Sequence, residues 1–146
     1  KYQQAVLKTH LMKYAPFVKV LANAEETYWM ANGQYTPNIE DLDVDFPADA
    51  VWAGASTDHG FVQLSDGSVL DLLAGQPYIS KPDSEAARVG VRILGPNNEK
   101  IVYAQYLANS AYPNERFCAG NATICKSMGG TGSYNLPDIT SAWKLP

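Results

Sequence analysis

This sequence predicts an α+β fold in which one long N-terminal helix lies on a four-stranded antiparallel sheet. Three observations carry that prediction. The first thirty residues repeat their apolar positions with a helical period, and four later segments alternate as strands do. The connections between those segments are short or polar, which favours an antiparallel meander over helical crossovers. The 146 residues then read as a single domain, 1–146. Its parts are a helix (1–31), a connector (32–59), the sheet (60–108) and a cysteine-containing C-terminal region (109–146).

In the helix, Leu7, Leu11, Tyr14, Val18, Leu21 and Tyr28 form one stripe at spacings of three and four, with Glu25 the one gap. A second apolar set, Val6, Phe17, Val20 and Ala24, lies on another side. Either the whole arc is buried in the domain, or one stripe packs on the sheet and the other meets a partner. Pro16 removes a backbone donor and predicts a kink near Met12–Pro16. Asn32-Gly33 supplies the stop, because glycine accepts the left-handed conformation just past a helix end.

The connector has no clear period. Tyr35-Thr36-Pro37-Asn38 reads as a turn, with Asn38 placed to cap a short helical turn at Ile39–Leu42. The run Asp41-Leu42-Asp43-Val44-Asp45-Phe46 alternates and ends at Pro47, so Leu42, Val44 and Phe46 are expected to face inward. Strands follow at Phe61–Ser65 and Ser68–Leu73, joined by Asp66-Gly67, which reads as a two-residue hairpin with positive φ at both positions. Arg88–Leu94 places Val89, Val91 and Ile93 on one face. Lys100–Leu107 does the same with Ile101, Tyr103, Gln105 and Leu107, after the turn Gly95-Pro96-Asn97-Asn98. From Ala111 onward the chain is rich in Gly, Pro, Ser and Asn and shows little regular pattern.

Composition and charge exclude several classes of function. At 46% hydrophobic and 18% charged the chain is not a disordered segment. A net charge of −4 argues against non-specific nucleic-acid binding. No run approaches the roughly 20 apolar residues that a bilayer requires. Charge is also segregated. Residues 1–24 carry Lys1, Lys8, Lys13 and Lys19 without an acid, whereas residues 25–58 carry Glu25, Glu26, Glu40, Asp41, Asp43, Asp45, Asp49 and Asp58 without a Lys or Arg. A basic end followed by an acidic stretch suits head-to-tail association of copies; two solvated faces are the plainer alternative.

Cys118 and Cys125 are close in sequence and sit in an irregular segment around Gly120-Asn121. That suits a structural disulfide and an oxidising compartment, with free buried thiols as the alternative. The spacing is not Cys-x-x-Cys, and a zinc site would have to recruit His10 and His59 from far away.

Several motifs together resemble type IV pilins. They are the helix entering on Lys1-Tyr2-Gln3-Gln4-Ala5-Val6, its end at Ala24-Glu25-Glu26-Thr27-Tyr28-Trp29-Met30-Ala31-Asn32-Gly33-Gln34-Tyr35-Thr36, the acidic connector ending at Phe46-Pro47, and the tail Cys118–Cys125 with Lys126-Ser127-Met128-Gly129-Gly130. The resemblance covers most of the chain and is strongest at the helix end and the cysteine tail. It implies an extracellular, cell-surface filament subunit, anchored in the inner membrane before assembly. Its partners would be other copies of itself, other pilins and the assembly machinery. It also implies an apolar half-helix before Lys1, the only part that would touch a membrane. Candidate subunit-interface residues are Lys8, Lys13, Phe17, Glu25, Asp41 and Asp43. No catalytic residue, cofactor or metal ligand is expected, and nucleic acid is not an expected partner of this domain alone.

Rival readings rest on fewer residues. Ser56 with Asp58-His59 supplies hydrolase residue types without a Gly-x-Ser-x-Gly elbow, and Ser141-x-x-Lys144 lacks its companion motifs. Asp41, Asp43 and Asp45 alternate as in a calcium loop, yet Phe46 stands where such a loop requires glycine. Asp138–Trp143 faintly resembles the calcium-binding tail of some type II secretion pseudopilins. A secreted ligand-binding module is a further alternative, although Trp29, Trp52 and Trp143 lie in apolar contexts that suit a core. Asn121-Ala122-Thr123 forms a glycosylation triplet that also occurs by chance.

Overall fold

The computed structural model describes residues 2–45, 50–55, 59–73, 86–136 and 139–146. The helix forms as two consecutive pieces, α1 (Tyr2–Lys13) and α2 (Ala15–Asn32), broken at Tyr14. Pro16 sits in the first turn of α2, where its missing N–H costs nothing to α2 but leaves the Met12 carbonyl without its usual donor. The predicted kink is therefore a one-residue break. Gly33 adopts φ 72° and donates its N–H to the Trp29 carbonyl at 2.7 Å, ending the helix where expected.

A 3-10 turn at Ile39–Asp41 follows, and Asn38 caps it by accepting the Glu40 N–H at 3.1 Å. Leu42 is buried and Val44 packs against the core, as the alternation predicts. Phe46 and Pro47 lie outside the described residues.

The sheet is larger than four strands. Among the described residues it has eight: β1 (Val51–Ala55), β2 (His59–Gln63), β3 (Val69–Leu73), β4 (Arg88–Leu94), β5 (Lys100–Tyr106), β6 (Arg116–Ala119), β7 (Thr131–Tyr134) and β8 (Ala142–Lys144). All neighbours are antiparallel in the order β1-β2-β3-β4-β5-β6-β8-β7. The four predicted strands are its middle, β2 to β5. The others are three to five residues long, so hydrophobic alternation is too brief to mark them. A short helix, α3 (Ala122–Ser127), also stands in the tail.

The β2–β3 turn departs from the expected hairpin. Leu64 N–H bonds to the Ser68 carbonyl at 2.9 Å and Gly67 N–H to the Leu64 carbonyl at 3.0 Å, and in this turn only Gly67 has positive φ (86°). This is a three-residue loop, a type I turn completed by a left-handed glycine. It forms because the Asp66 carboxylate accepts the Ser68 N–H at 2.9 Å, which favours the looser turn. The β4–β5 turn repeats the pattern, with Asn98 at φ 59° in the left-handed position.

The two faces of the sheet are covered differently. Towards α1 and α2, the aliphatic side chains of β2 to β5 meet Leu11, Tyr14, Val18 and Leu21 in one core. On the opposite face, Tyr106, Phe117, Leu136 and Ile139 form a smaller cluster with Ala104 and Ala142. Cys118 and Cys125 form a disulfide with Cα atoms 5.4 Å apart, and both are fully buried. The bond fastens β6 to α3, tying a loop-rich terminus to the sheet. Asn121 caps α3 by accepting the Ile124 N–H at 3.0 Å, so its side chain has a structural task.

Candidate subunit interface

The outward side of the helix is both apolar and basic. Leu7, Leu11, Tyr14, Val18 and Leu21 are buried on the sheet, as the stripe predicts. The second apolar set divides: Val6 and Val20 are each 48% exposed, whereas Phe17 and Ala24 are half-buried against the core. Met12 is also exposed, and Val6, Met12, Lys8 and Lys13 border one shallow depression. Lys13 reaches over the Tyr14 ring at 5.2 Å. Lys8 donates to the Ser127 carbonyl at 3.1 Å, linking α1 to α3.

The far end of the helix carries the opposite charge. Asp41 and Asp43 are exposed and border a cleft of about 400 Å³ with Ala24, Tyr28 and Leu42. Asp41 accepts the Thr36 hydroxyl at 2.7 Å, a bond within the connector that closes its turn. The centres of the basic depression and the acidic cleft lie about eighteen residues apart along the helix, roughly 27 Å at 1.5 Å per residue.

Glu25 does not belong with these surface residues. It is fully buried, in the very stripe where its spacing places it. One carboxyl oxygen accepts the Thr36 N–H at 3.0 Å, and the other has no hydrogen-bond partner. Burial pushes its pKa up to about 8, the Thr36 N–H opposing and the charges of Glu26 and Asp41 reinforcing the rise. A helix with its apolar stripe on the sheet turns Glu25 inward whatever its charge, so it cannot contribute to a subunit surface.

Glu26, one residue on, organises the helix–connector–sheet junction. Its carboxylate accepts the Tyr35 hydroxyl at 2.8 Å and the Ala108 N–H at 2.8 Å. Tyr35 accepts in turn from the Asn109 backbone and side chain at 3.1 and 3.0 Å, and its ring packs 4.5 Å from that of Trp29. Burial raises the Tyr35 pKa to about 12; the Asn109 donors oppose this and Glu26 adds to it. Sequence periodicity gives no sign of this junction, since Asn109 is more than seventy residues from Tyr35.

A second polar cluster stands at the break between α1 and α2. Asp66 accepts the Tyr14 hydroxyl at 2.6 Å and lies 2.7 Å from His10 Nε2. Burial opposes its charge, but hydrogen bonds from Tyr14, His10 and Ser68 outweigh it and hold the carboxyl well below the usual range. Ser68 Oγ is 3.4 Å from the same Nε2 that faces Asp66. An imidazole relaying protons from a serine to an aspartate uses its two different nitrogens, so this trio is not arranged as a catalytic triad.

Of the other candidates, His59 opens β2 with its ring parallel to that of Phe61, while Ser56 and Asp58 lie outside the described residues. Trp29 and Trp143 pack on the main core; the Trp52 side chain lies outside the description, as does Asp138. Among the described residues no group of three or more His, Cys, Asp or Glu converges as a metal site, and no helix is long and apolar enough to cross a membrane. Compared with protein-family models, curated protein sequences and solved structures, the chain gives no match.

Proposed function

We propose that this chain is the globular head of a type IV pilin, a structural subunit that assembles with copies of itself into an extracellular filament. The observation that carries the reading is the polarity of the helix. Exposed Val6 and Met12 lie among lysines at one end, Val20 is exposed beside Lys19 further along, and the acidic cleft of Asp41 and Asp43 lies at the other end. An isolated domain gains nothing from exposed valines on a helix that already buries a full stripe. Stacked copies gain twice, by covering that surface and by bringing opposite charges together. The resemblance at the helix end and the cysteine tail supports the same reading, and so does a disulfide that closes the C-terminal region.

In this role the head performs no chemistry. Other pilins and the assembly machinery would be its partners, and an apolar segment preceding Lys1 would supply the contact with the inner membrane and the filament centre. The type II secretion pseudopilus is the related alternative.

The test is charge reversal at the cleft. In cells making the protein from its own gene, Asp41→Lys with Asp43→Lys should reduce surface filaments seen by electron microscopy. Adding Lys13→Glu should restore part of the loss. Normal filaments from the cleft variant would overturn the reading. So would an upstream coding sequence lacking a leader followed by about twenty apolar residues.

A further inference from the structure

We propose that the sheet face turned away from the helix carries a binding groove for a compact ligand bearing an oxyanion, whether carboxylate, sulfate or phosphate. The inference does not rest on filament assembly. Strand alternation sets the geometry. Val89, Val91 and Ile93 of β4 point into the helix-side core, so Arg88, Gly90 and Arg92 project from the other face. On β5, Ile101 and Tyr103 do the same and leave Lys100 and Val102 opposite. The smaller apolar cluster covers this face from β5 to β8. Beside it lies a groove of about 530 Å³, a size usual for small-molecule sites.

The floor of the groove is built, not incidental. Arg88 and Asp71 form an ion pair at 3.1 Å, with side chains only 7% and 15% exposed. The pair lies across Gly90, where a Cβ would stand 2.9 Å from the Asp71 carboxylate and 3.0 Å from the guanidinium. Glycine at 90 therefore makes room for this ion pair. Two further cations border the groove above it. Arg92 stands opposite Val102 and Lys100 opposite Leu94, so the two are diagonal neighbours on adjacent strands, within about 7–8 Å at the backbone. Neither has an ion pair among the described residues.

Among the described residues, the lining thus holds three cations (Arg88, Arg92 and Lys100) and one carboxylate, Asp71. A fork-shaped guanidinium beside an ammonium is suited to a planar or tetrahedral oxyanion. The parallel rings of His59 and Phe61 border the groove as well, with Thr140 and the backbone of Gly120. They offer an apolar wall and a hydroxyl to the body of the ligand that carries the anion.

The test is a titration of the isotopically labelled chain with sodium phosphate, sulfate and glucuronate, each matched to sodium chloride at equal ionic strength. Saturable amide shifts at Arg92, Lys100, Gly120 and Thr140, absent with chloride and with neutral glucose, are the expected result. The tightest of the three anions identifies the class. Arg92→Gln with Lys100→Gln, its own amide spectrum showing the fold intact, should weaken that binding at least tenfold. Shifts no larger than those of chloride, or undiminished binding by the double variant, would overturn the proposal.

Discussion

Two carboxylates meet the long helix, one at its break and one within α2, and they live in opposite ways. Asp66 lies under the break between α1 and α2 and receives hydrogen bonds from Tyr14, His10 and Ser68. Glu25 lies inside the sheet-facing stripe of α2 and receives one, from Thr36. Asp66 is held ionised despite partial burial; Glu25 is driven towards its neutral form. Burial opposes the charge of both, but Glu25 is buried far more deeply and meets the like charges of Glu26 and Asp41, whereas Asp66 finds more donors. The lesson extends to the surface: an acidic stretch in the sequence is not one electrostatic object. Its first member is a core residue, and Asp41 and Asp43 form the cleft.

The sharpest way to break this contrast is to place a fixed charge at each position in turn. Glu25→Lys should cost about 3–5 kcal/mol, because it would force a longer, charged side chain into the sheet-facing core. Asp43→Lys, on the exposed side, should change stability by no more than about 0.5 kcal/mol. Urea midpoints of the two variants decide, and equal midpoints would remove Glu25 from the core.

The pH dependence comes next in size. Glu25 has a folded-state pKa of about 8 against an ordinary 4.5, so the unfolded chain loses that proton first and stability falls as pH rises between the two values. The slope is about 1.4 kcal/mol per pH unit, roughly 2–3 kcal/mol from pH 5.5 to 7.5. Thermal melts across that range should show the decline in the wild type and a flatter profile in Glu25→Gln. Asp66 works in the other direction. Its folded pKa is depressed, so its contribution is present above about pH 4 and disappears as pH falls further.

Smaller effects sharpen the Asp66 side. Asp66→Ala removes the acceptor used by the Tyr14 hydroxyl and the Ser68 N–H, which should cost about 1–3 kcal/mol by chemical denaturation. Tyr14→Phe removes one of those donors and should cost about 0.5–1.5 kcal/mol. A Tyr14→Phe loss as large as that of Asp66→Ala would show that a single bond, and not the set, keeps Asp66 charged.

Much of this could be read before folding. The stripe from Leu7 to Tyr28 identified the buried face of the helix, Pro16 its break and Gly33 its end, since each depends on a few neighbouring residues. Glu25 reads as the one gap in that stripe and, from its charge, as a surface candidate, whereas its position in the stripe buries it. The strands β1, β6, β7 and β8 were not legible. At three to five residues they alternate too briefly, and they persist because neighbours and a disulfide hold them. The Asp66-Gly67 turn was located correctly but given the wrong geometry, as the Asp66 side chain bonds to Ser68 and changes the loop.

The candidate surfaces divide along the same line. Charge segregation in the sequence separated a basic helix from an acidic connector, which already named Lys8, Lys13, Asp41 and Asp43. It could not say that Val6 and Val20 stay exposed while Phe17 is drawn into the core, nor that Tyr35 finds Asn109. Nor could it set Arg92 and Lys100 beside each other above a buried ion pair. Sequence alone determined the elements whose causes are local, namely helical period, chain breaks, caps and the sign of each segment's charge. The tertiary structure alone decided which charges are buried and which face one another, because only folding sets the distances over which desolvation and hydrogen bonding act.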